Sequence, residues 1–223
     1  MTRGFFIATC ATTMPDAKIC GITTVEALDA AIEGGARFVG FVSFPKSPRH
    51  LSMDKLAGLA ARARGRVETV LVTVDADDAL LAAANSAAQP DWIQLHGSET
   101  PARAREVRAF ARRGVIKGVG VARRDDLGAL GPYEPVVDMF LFDAQAPKGA
   151  QPGGNALAFD WGVLAGAKFG RPWMLAGGLN PGNVREAMAV SGAELVDVSS
   201  GVESAPGLKD PLLIAQFLEA VGV

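Results

Sequence analysis

The sequence has almost no charge imbalance. Its 22 Lys and Arg face 24 Asp and Glu, leaving a formal net charge of -2 over 223 residues. That excludes the broad electrostatic affinity for nucleic acid or anionic lipid that a basic chain carries. No stripe or basic cluster supports a nucleic-acid or membrane role, so neither partner is expected. Cysteine is scarce. Cys10 and Cys20 are the only two, and neither is spaced with a histidine as zinc ligands are. No metal site is expected, and the thiols read as free in a reducing, cytoplasmic setting. Long hydrophobic runs are missing. The apolar patch within residues 1–11 is too short for a membrane span and makes a poor signal peptide. Residues 1–14 are expected to be a disordered N-terminal extension, with Met14 an alternative start. No stretch is rich enough in linker residues to split the remainder, so 15–223 is read as one domain.

What is present is a repeat of apolar run and amphipathic helix. Ala17–Gly21 leads into a helix near Val25–Glu33, and Phe38–Phe44 leads through a proline-bearing loop to Met53–Arg64. Six further units follow, through strands near Glu68–Val74, Trp92–His96, Val115–Val121, Asp138–Asp143, Trp173–Gly177 and Leu195–Ser199. Helices are expected at Asp77–Ala87, Pro101–Arg112, Asp125–Leu130, Leu157–Ala167, Pro181–Val190 and Pro211–Ala220. Alternating units imply a parallel sheet with right-handed crossovers. Eight of them in 223 residues predict a single-domain α/β fold, a closed (β/α)8 TIM barrel. The alternative is an open doubly wound sheet. That fold carries a Gly-rich turn after its first strand, where this chain offers only Gly21.

The last two strands each stop in a turn of small residues, Gly177-Gly178 and Ser199-Ser200-Gly201. Such turns can do no more than reverse the chain. Side by side they form a nest of backbone N–H groups suited to an anion, and the loops after the last barrel strands commonly hold phosphate. Period-two alternation puts Lys18 with Cys20, and Trp92 with Gln94 and His96, on the barrel's inner face. It likewise puts Asp143 with Met139 and Leu141, and Asp197 with Leu195 and Ser199. Lys18 and Gln94 are expected to fill and hydrogen-bond the interior, and Asp197 to orient Ser199 or a backbone N–H. Each of the others also has a structural reading: Cys20 as a small buried apolar group, Asp143 as a loop cap, His96 as a core imidazole. Pro45 and Pro48 stiffen the loop that carries Arg49, which is either a solvated surface arginine or a guanidinium fork presented to a carboxylate. Gln145 to Asn155, with Gly149, Gly153 and Gly154, has the length and glycine content of a lid or, equally, of a passively disordered loop.

Several segments resemble one family, phosphoribosylanthranilate isomerase of tryptophan biosynthesis. They are Lys18-Ile19-Cys20-Gly21-Ile22-Thr23, Phe44-Pro45-Lys46-Ser47-Pro48-Arg49, Gln94-Leu95-His96-Gly97, Phe142-Asp143, Phe159-Asp160-Trp161, Leu175-Ala176-Gly177-Gly178-Leu179 and Asp197-Val198-Ser199-Ser200-Gly201-Val202-Glu203. The order is the family's, from about Ala17 to the C-terminus. The chain departs at Gly153-Gly154-Asn155-Ala156, where the family often has Gly-Gly-Thr-Gly.

The resemblance implies an Amadori rearrangement of a small phosphoribosyl substrate, with no cofactor, in a monomer or homodimer. It assigns Cys20 as general base and Asp143 as general acid. Arg49 would hold the anthranilate carboxylate and His96 would line the substrate site. Gly177, Gly178, Ser199, Ser200 and Gly201 would hold the phosphate. Cysteine ordinarily titrates near pH 8.5, so Lys18 on the same face and the substrate's own iminium charge are both expected to favour the thiolate. Two other readings compete. One is another phosphosugar barrel; the histidine-pathway isomerase uses two aspartates where strand one here offers Cys20. The other is a non-catalytic barrel that senses a phosphorylated metabolite.

Overall fold

The computed structural model describes residues 16–145 and 160–223. Eight parallel strands close on themselves in sequence order. They are β1 (Asp16–Cys20), β2 (Phe38–Ser43), β3 (Glu68–Thr73), β4 (Trp92–Leu95), β5 (Gly114–Val121), β6 (Met139–Ala144), β7 (Trp173–Leu175) and β8 (Leu195–Val198). Closure runs through β1 and β8, with Lys18 opposite Asp197 and Ile19 opposite Val198. This is the expected TIM barrel, and the open sheet is ruled out.

Among the described residues six α-helices pack outside: α1 (Val25–Glu33), α2 (Met53–Ala63), α3 (Asp78–Ala88), α4 (Pro101–Val107), α5 (Val184–Ser191) and α6 (Pro211–Val221). Their starts are set by short polar side chains. Thr24, Ser52, Asp77, Thr100 and Asp210 each accept a hydrogen bond from an N–H in the first turn. Each such cap stabilises its helix by about 1 kcal/mol.

The strands sort their side chains as the alternation demands. Cys20, Phe38, Val70, Val72, Ile116, Met139, Leu141, Met174 and Leu195 fill the interior. Ile19, Val39, Leu71, Ile93, Phe140, Leu175 and Val196 face the helices. No bulge inverts the phase, so Cys20 and Asp143 both lie on inward-facing registers.

Four helical expectations change. The segment after β5 is a 3-10 helix, Arg124–Leu130, ending at Gly131. After β6 only a 3-10 turn, Trp161–Leu164, is formed among the described residues. Asp160 caps Gly162 N at 2.9 Å, and Gly166 adopts φ 66. Helix α4 ends at Val107 rather than Arg112 and passes into a 3-10 turn, Arg108–Phe110. Helix α5 begins at Val184 rather than Pro181, because Asn180 N donates to Asn183 Oδ1 and Gly182 N to Asn180 Oδ1, both at 2.8 Å. Asparagine side chains there offer the backbone an alternative to the helix. An unexpected hairpin, β9 (Glu203–Ala205) with β10 (Leu208–Lys209), stands between β8 and α6. The expected extension at 1–14 lies outside the described residues, and so does the expected lid apart from Gln145.

Candidate active site

Cys20 ends β1 inside the barrel mouth and is 7% exposed. Beneath it Lys18, fully buried, donates to Asp197 Oδ1 at 2.8 Å. Asp197 thus serves Lys18 and not Ser199, a correction to the sequence reading. A buried ammonium needs a counter-ion more than a half-buried serine needs an acceptor. Burial opposes the charge on Lys18, but the Asp197 carboxylate and Cys20 outweigh it and lift the ammonium above its ordinary value.

The same burial acts on the thiol. It pushes Cys20 above the ordinary cysteine range, against the pull of Lys18 and Lys209 and with the help of Asp197. Lys18 does favour the thiolate, as expected, but burial outweighs it. Its charge is largely neutralised by Asp197, and desolvation disfavours the anion.

Asp143 lies on β6, three strand steps from β1 through β7 and β8. Its Oδ1 accepts from Ala144 N at 2.8 Å, and its Oδ2 lies 3.4 Å from His96 Nε2. His96 Nδ1 in turn is 3.1 Å from Gln94 Nε2. Gln94 is buried in the interior, as expected, and His96 sits at the rim rather than in the core.

The β7 turn closes against this group. Gly177 has φ 88, and a Cβ there would fall 2.7 Å from Ala144 N and 3.1 Å from Asp143 Oδ1. Glycine is thus required both for the left-handed turn and for its approach to the carboxyl. Gly178 follows with φ 66, and its carbonyl accepts from Asn183 Nδ2 at 3.0 Å. The β8 turn meets it directly: a side chain at Gly201 would overlap the Leu179 carbonyl. The loops after β7 and β8 thus touch at Leu179 and Gly201. Lys209 Nζ donates to the Ser199 carbonyl at 3.0 Å.

Arg49 is presented in a fixed pose, but not by proline alone. Its Nε and Nη2 form a fork on Glu203 Oε1 and Oε2, at 2.7 and 2.8 Å. Lys209 Nζ reaches the same carboxylate at 2.6 Å. Burial raises Glu203, but its bonds to Arg49 and Lys209 win and hold it below the usual carboxylate range. Burial also pulls the Lys209 ammonium down, against the attraction of Glu203. The fork leaves the Nη1 edge of Arg49 outside the Glu203 bond.

Glu203 and Lys209 are the residues that sequence reading missed as part of the site. Both belong to the β9–β10 hairpin, whose signal was the Pro206-Gly207 pair between two short extended segments. The hairpin turn rests on the Pro48 carbonyl, and Thr23 Oγ1 donates to Gly207 O at 2.9 Å. It therefore ties the loops after β1 and β2 to β8. Among the described residues no group of three or more His, Cys, Asp or Glu could hold a metal ion.

Comparison with known proteins gives a single result. Residues 17–220 match the family model described as N-(5'phosphoribosyl)anthranilate (PRA) isomerase. A curated N-(5'-phosphoribosyl)anthranilate isomerase of Caulobacter sp. (strain K31) is 51% identical over 210 residues, 93% of this chain and 99% of that protein. The crystal structure of phosphoribosyl anthranilate isomerase from Thermotoga maritima superposes with a TM-score of 0.83 at 35% identity, covering 94% of this chain and 99% of that one. A second isomerase structure, in complex with reduced 1-(o-carboxyphenylamino)-1-deoxyribulose 5-phosphate, gives 0.81 at 34% identity with the same coverage of both chains. A third, of monomers generated from the dimeric Thermotoga maritima enzyme, gives 0.80 at 34% identity and again 94% and 99% coverage.

Proposed function

The chain belongs to the N-(5'-phosphoribosyl)anthranilate isomerase family, and from that premise we propose how its rim carries out the reaction. The enzyme converts N-(5'-phosphoribosyl)anthranilate to 1-(2-carboxyphenylamino)-1-deoxyribulose 5-phosphate in tryptophan biosynthesis, by an Amadori rearrangement. The assignment of roles to its side chains is the proposal.

Asp143, protonated, gives its proton to the ribose ring oxygen, and the ring opens to an iminium at C1. The iminium acidifies the C2 proton. Cys20, as thiolate, removes it and leaves an enolamine, which tautomerises to the ketose. The observation that carries this reading is the pair of inward registers. A thiol on β1 and a carboxyl on β6 both end at one rim, beside the joined turns of β7 and β8. Gly177, Gly178, Ser199, Ser200 and Gly201 hold the phosphate there. Arg49 offers its Nη1 edge to the anthranilate carboxylate, and His96 lines the site between them. With both ends tethered, the reacting carbons are fixed between acid and base.

Because burial raises the Cys20 thiol, only a minor fraction of free enzyme carries the thiolate at neutral pH. The substrate's iminium charge, formed only after ring opening, then adds to the pull of Lys18. The C2 proton is acidic only once the iminium has formed, so the acid acts first and the base second.

The protein is further proposed to be cytoplasmic and to act as a monomer or homodimer, its partner otherwise only the small phosphoribosyl substrate. No helix among the described residues is long and apolar enough to cross a membrane. Sedimentation at micromolar concentration distinguishes the two assembly states.

The direct test follows the loss of N-(5'-phosphoribosyl)anthranilate fluorescence on adding pure enzyme. Turnover is expected; binding of a phosphorylated ligand without turnover would instead support a sensor. For Arg49, replacement by alanine is expected to weaken binding of the reduced product analogue by about 10–100-fold, the value of a hydrogen bond to a charged group. Calorimetry giving wild-type affinity would remove Arg49 from the substrate site.

A further inference from the structure

Gln94 and His96 stand in a line that ends on Asp143. Gln94 Nε2 lies 3.1 Å from His96 Nδ1, and His96 Nε2 lies 3.4 Å from Asp143 Oδ2. The line is built into the barrel. Gln94 is 1% exposed, and its register partners on the two flanking strands are Val72 and Ile116, which offer it no polar group. Its Oε1 is buried and accepts no hydrogen bond among the described residues. The ring has room because β5 carries Gly118 at that level, where a Cβ would fall 2.6 Å from His96 Nδ1.

We propose that Gln94 and His96 are positioning residues for the acid step, Gln94 fixing His96 as the Nε2–H tautomer so that this N–H faces the oxygen where charge develops on Asp143. The inference rests on the reading of Asp143 as the general acid. An amide N–H at Nδ1 requires a lone pair there, so a neutral imidazole must carry its proton on Nε2. The other carboxyl oxygen, Oδ1, is already bonded to Ala144 N. As the Oδ2–H proton moves to the ribose ring oxygen, Asp143 becomes a carboxylate, and the preset Nε2–H shortens its contact and stabilises the new charge. No proton leaves His96. A donor that is loose in the ground state and tight in the transition state acts on kcat rather than on binding. A reversed amide would put Oε1 on Nδ1–H and turn the Nε2 lone pair towards Asp143, which gives no such stabilisation.

The chain has two histidines, so the tautomer can be read directly. In protein labelled with 15N-histidine, the set of ring signals lost in His96→Asn belongs to His96. The expected pattern is a protonated Nε2 and an unprotonated Nδ1. Gln94→Leu should lose that fixed tautomer and lower kcat about 10-fold or more, with KM changed less than about twofold. This lies below the roughly 10²–10³-fold scale of a lost direct donor, because Gln94 acts through the ring. Gln94→Glu, whose carboxylate would demand Nδ1–H, should lower kcat likewise and serves if the leucine variant does not fold. A wild-type His96 protonated at Nδ1, or a folded Gln94 variant with undiminished kcat, overturns the proposal. Full activity in Asp143→Asn would instead sink the acid assignment while leaving the tautomer measurement as it stood.

Discussion

Replacing Cys20 by serine is expected to cut kcat by about 10²-fold or more, the usual scale for a lost acid or base. Substrate binding should largely survive, because the phosphate turns and Arg49 belong to other strands. The thiol sits in a buried position that raises it above the ordinary cysteine range. A base must be deprotonated to act, so the sign is fixed. The Cys20-dependent limb of kcat/KM rises with pH through neutrality and levels only above the ordinary thiol range. A serine hydroxyl has no thiolate to gain over that span, so the same limb should vanish in the variant. Asp143→Asn should lose activity on a similar scale, since an amide cannot give the ring oxygen its proton. Steady-state kinetics across pH, with binding of the reduced product analogue as control, checks all of this. A serine variant with near-normal kcat would end the assignment of Cys20 as the base.

How much of this was legible beforehand depended on the range of the interaction. The barrel followed from periodicity, which is a local property, and the inward phase of Cys20, Gln94 and Asp143 followed from alternation along single strands. Joining the turns at Gly177 and Gly201 needed only the order of the last two strands. What escaped reading was set by partners far apart in the chain. Lys18 and Asp197 are 179 residues apart and meet only because β1 closes on β8. Arg49 finds Glu203 across 154 residues, through a hairpin too short to register as strands. The upward shift of Cys20 also depended on the closed fold. Lys18 was visible two residues away, but the depth of burial that outweighs its pull on the thiol came only with the closed barrel. The shortened helices were lost to local competition, from asparagine side chains at 180 and 183 and from glycines at 162 and 166.

Lys18→Met is expected to destabilise the fold by about 3–5 kcal/mol, the penalty for leaving one partner of a buried ion pair alone. The bond to Lys18 is 2.8 Å long and lies inside the barrel, and Asp197 is 8% exposed. Without the ammonium, Asp197 must either keep an uncompensated charge or take up a proton. The double variant Lys18→Met with Asp197→Leu removes both charges and should recover most of the loss, since a buried pair replaced by apolar groups is often neutral or stabilising. Urea unfolding of the two variants and the wild type measures the difference. The wild-type pair also carries a pH signature. The folded-state value of Lys18 is raised, so its contribution is fully present below the ordinary lysine range and is lost as pH rises through the higher folded value. Stability should therefore hold across neutrality and fall only in strong alkali on account of this residue. A single variant as stable as wild type would mean that Asp197 is not held by Lys18, and Cys20 would then stand over a differently charged floor.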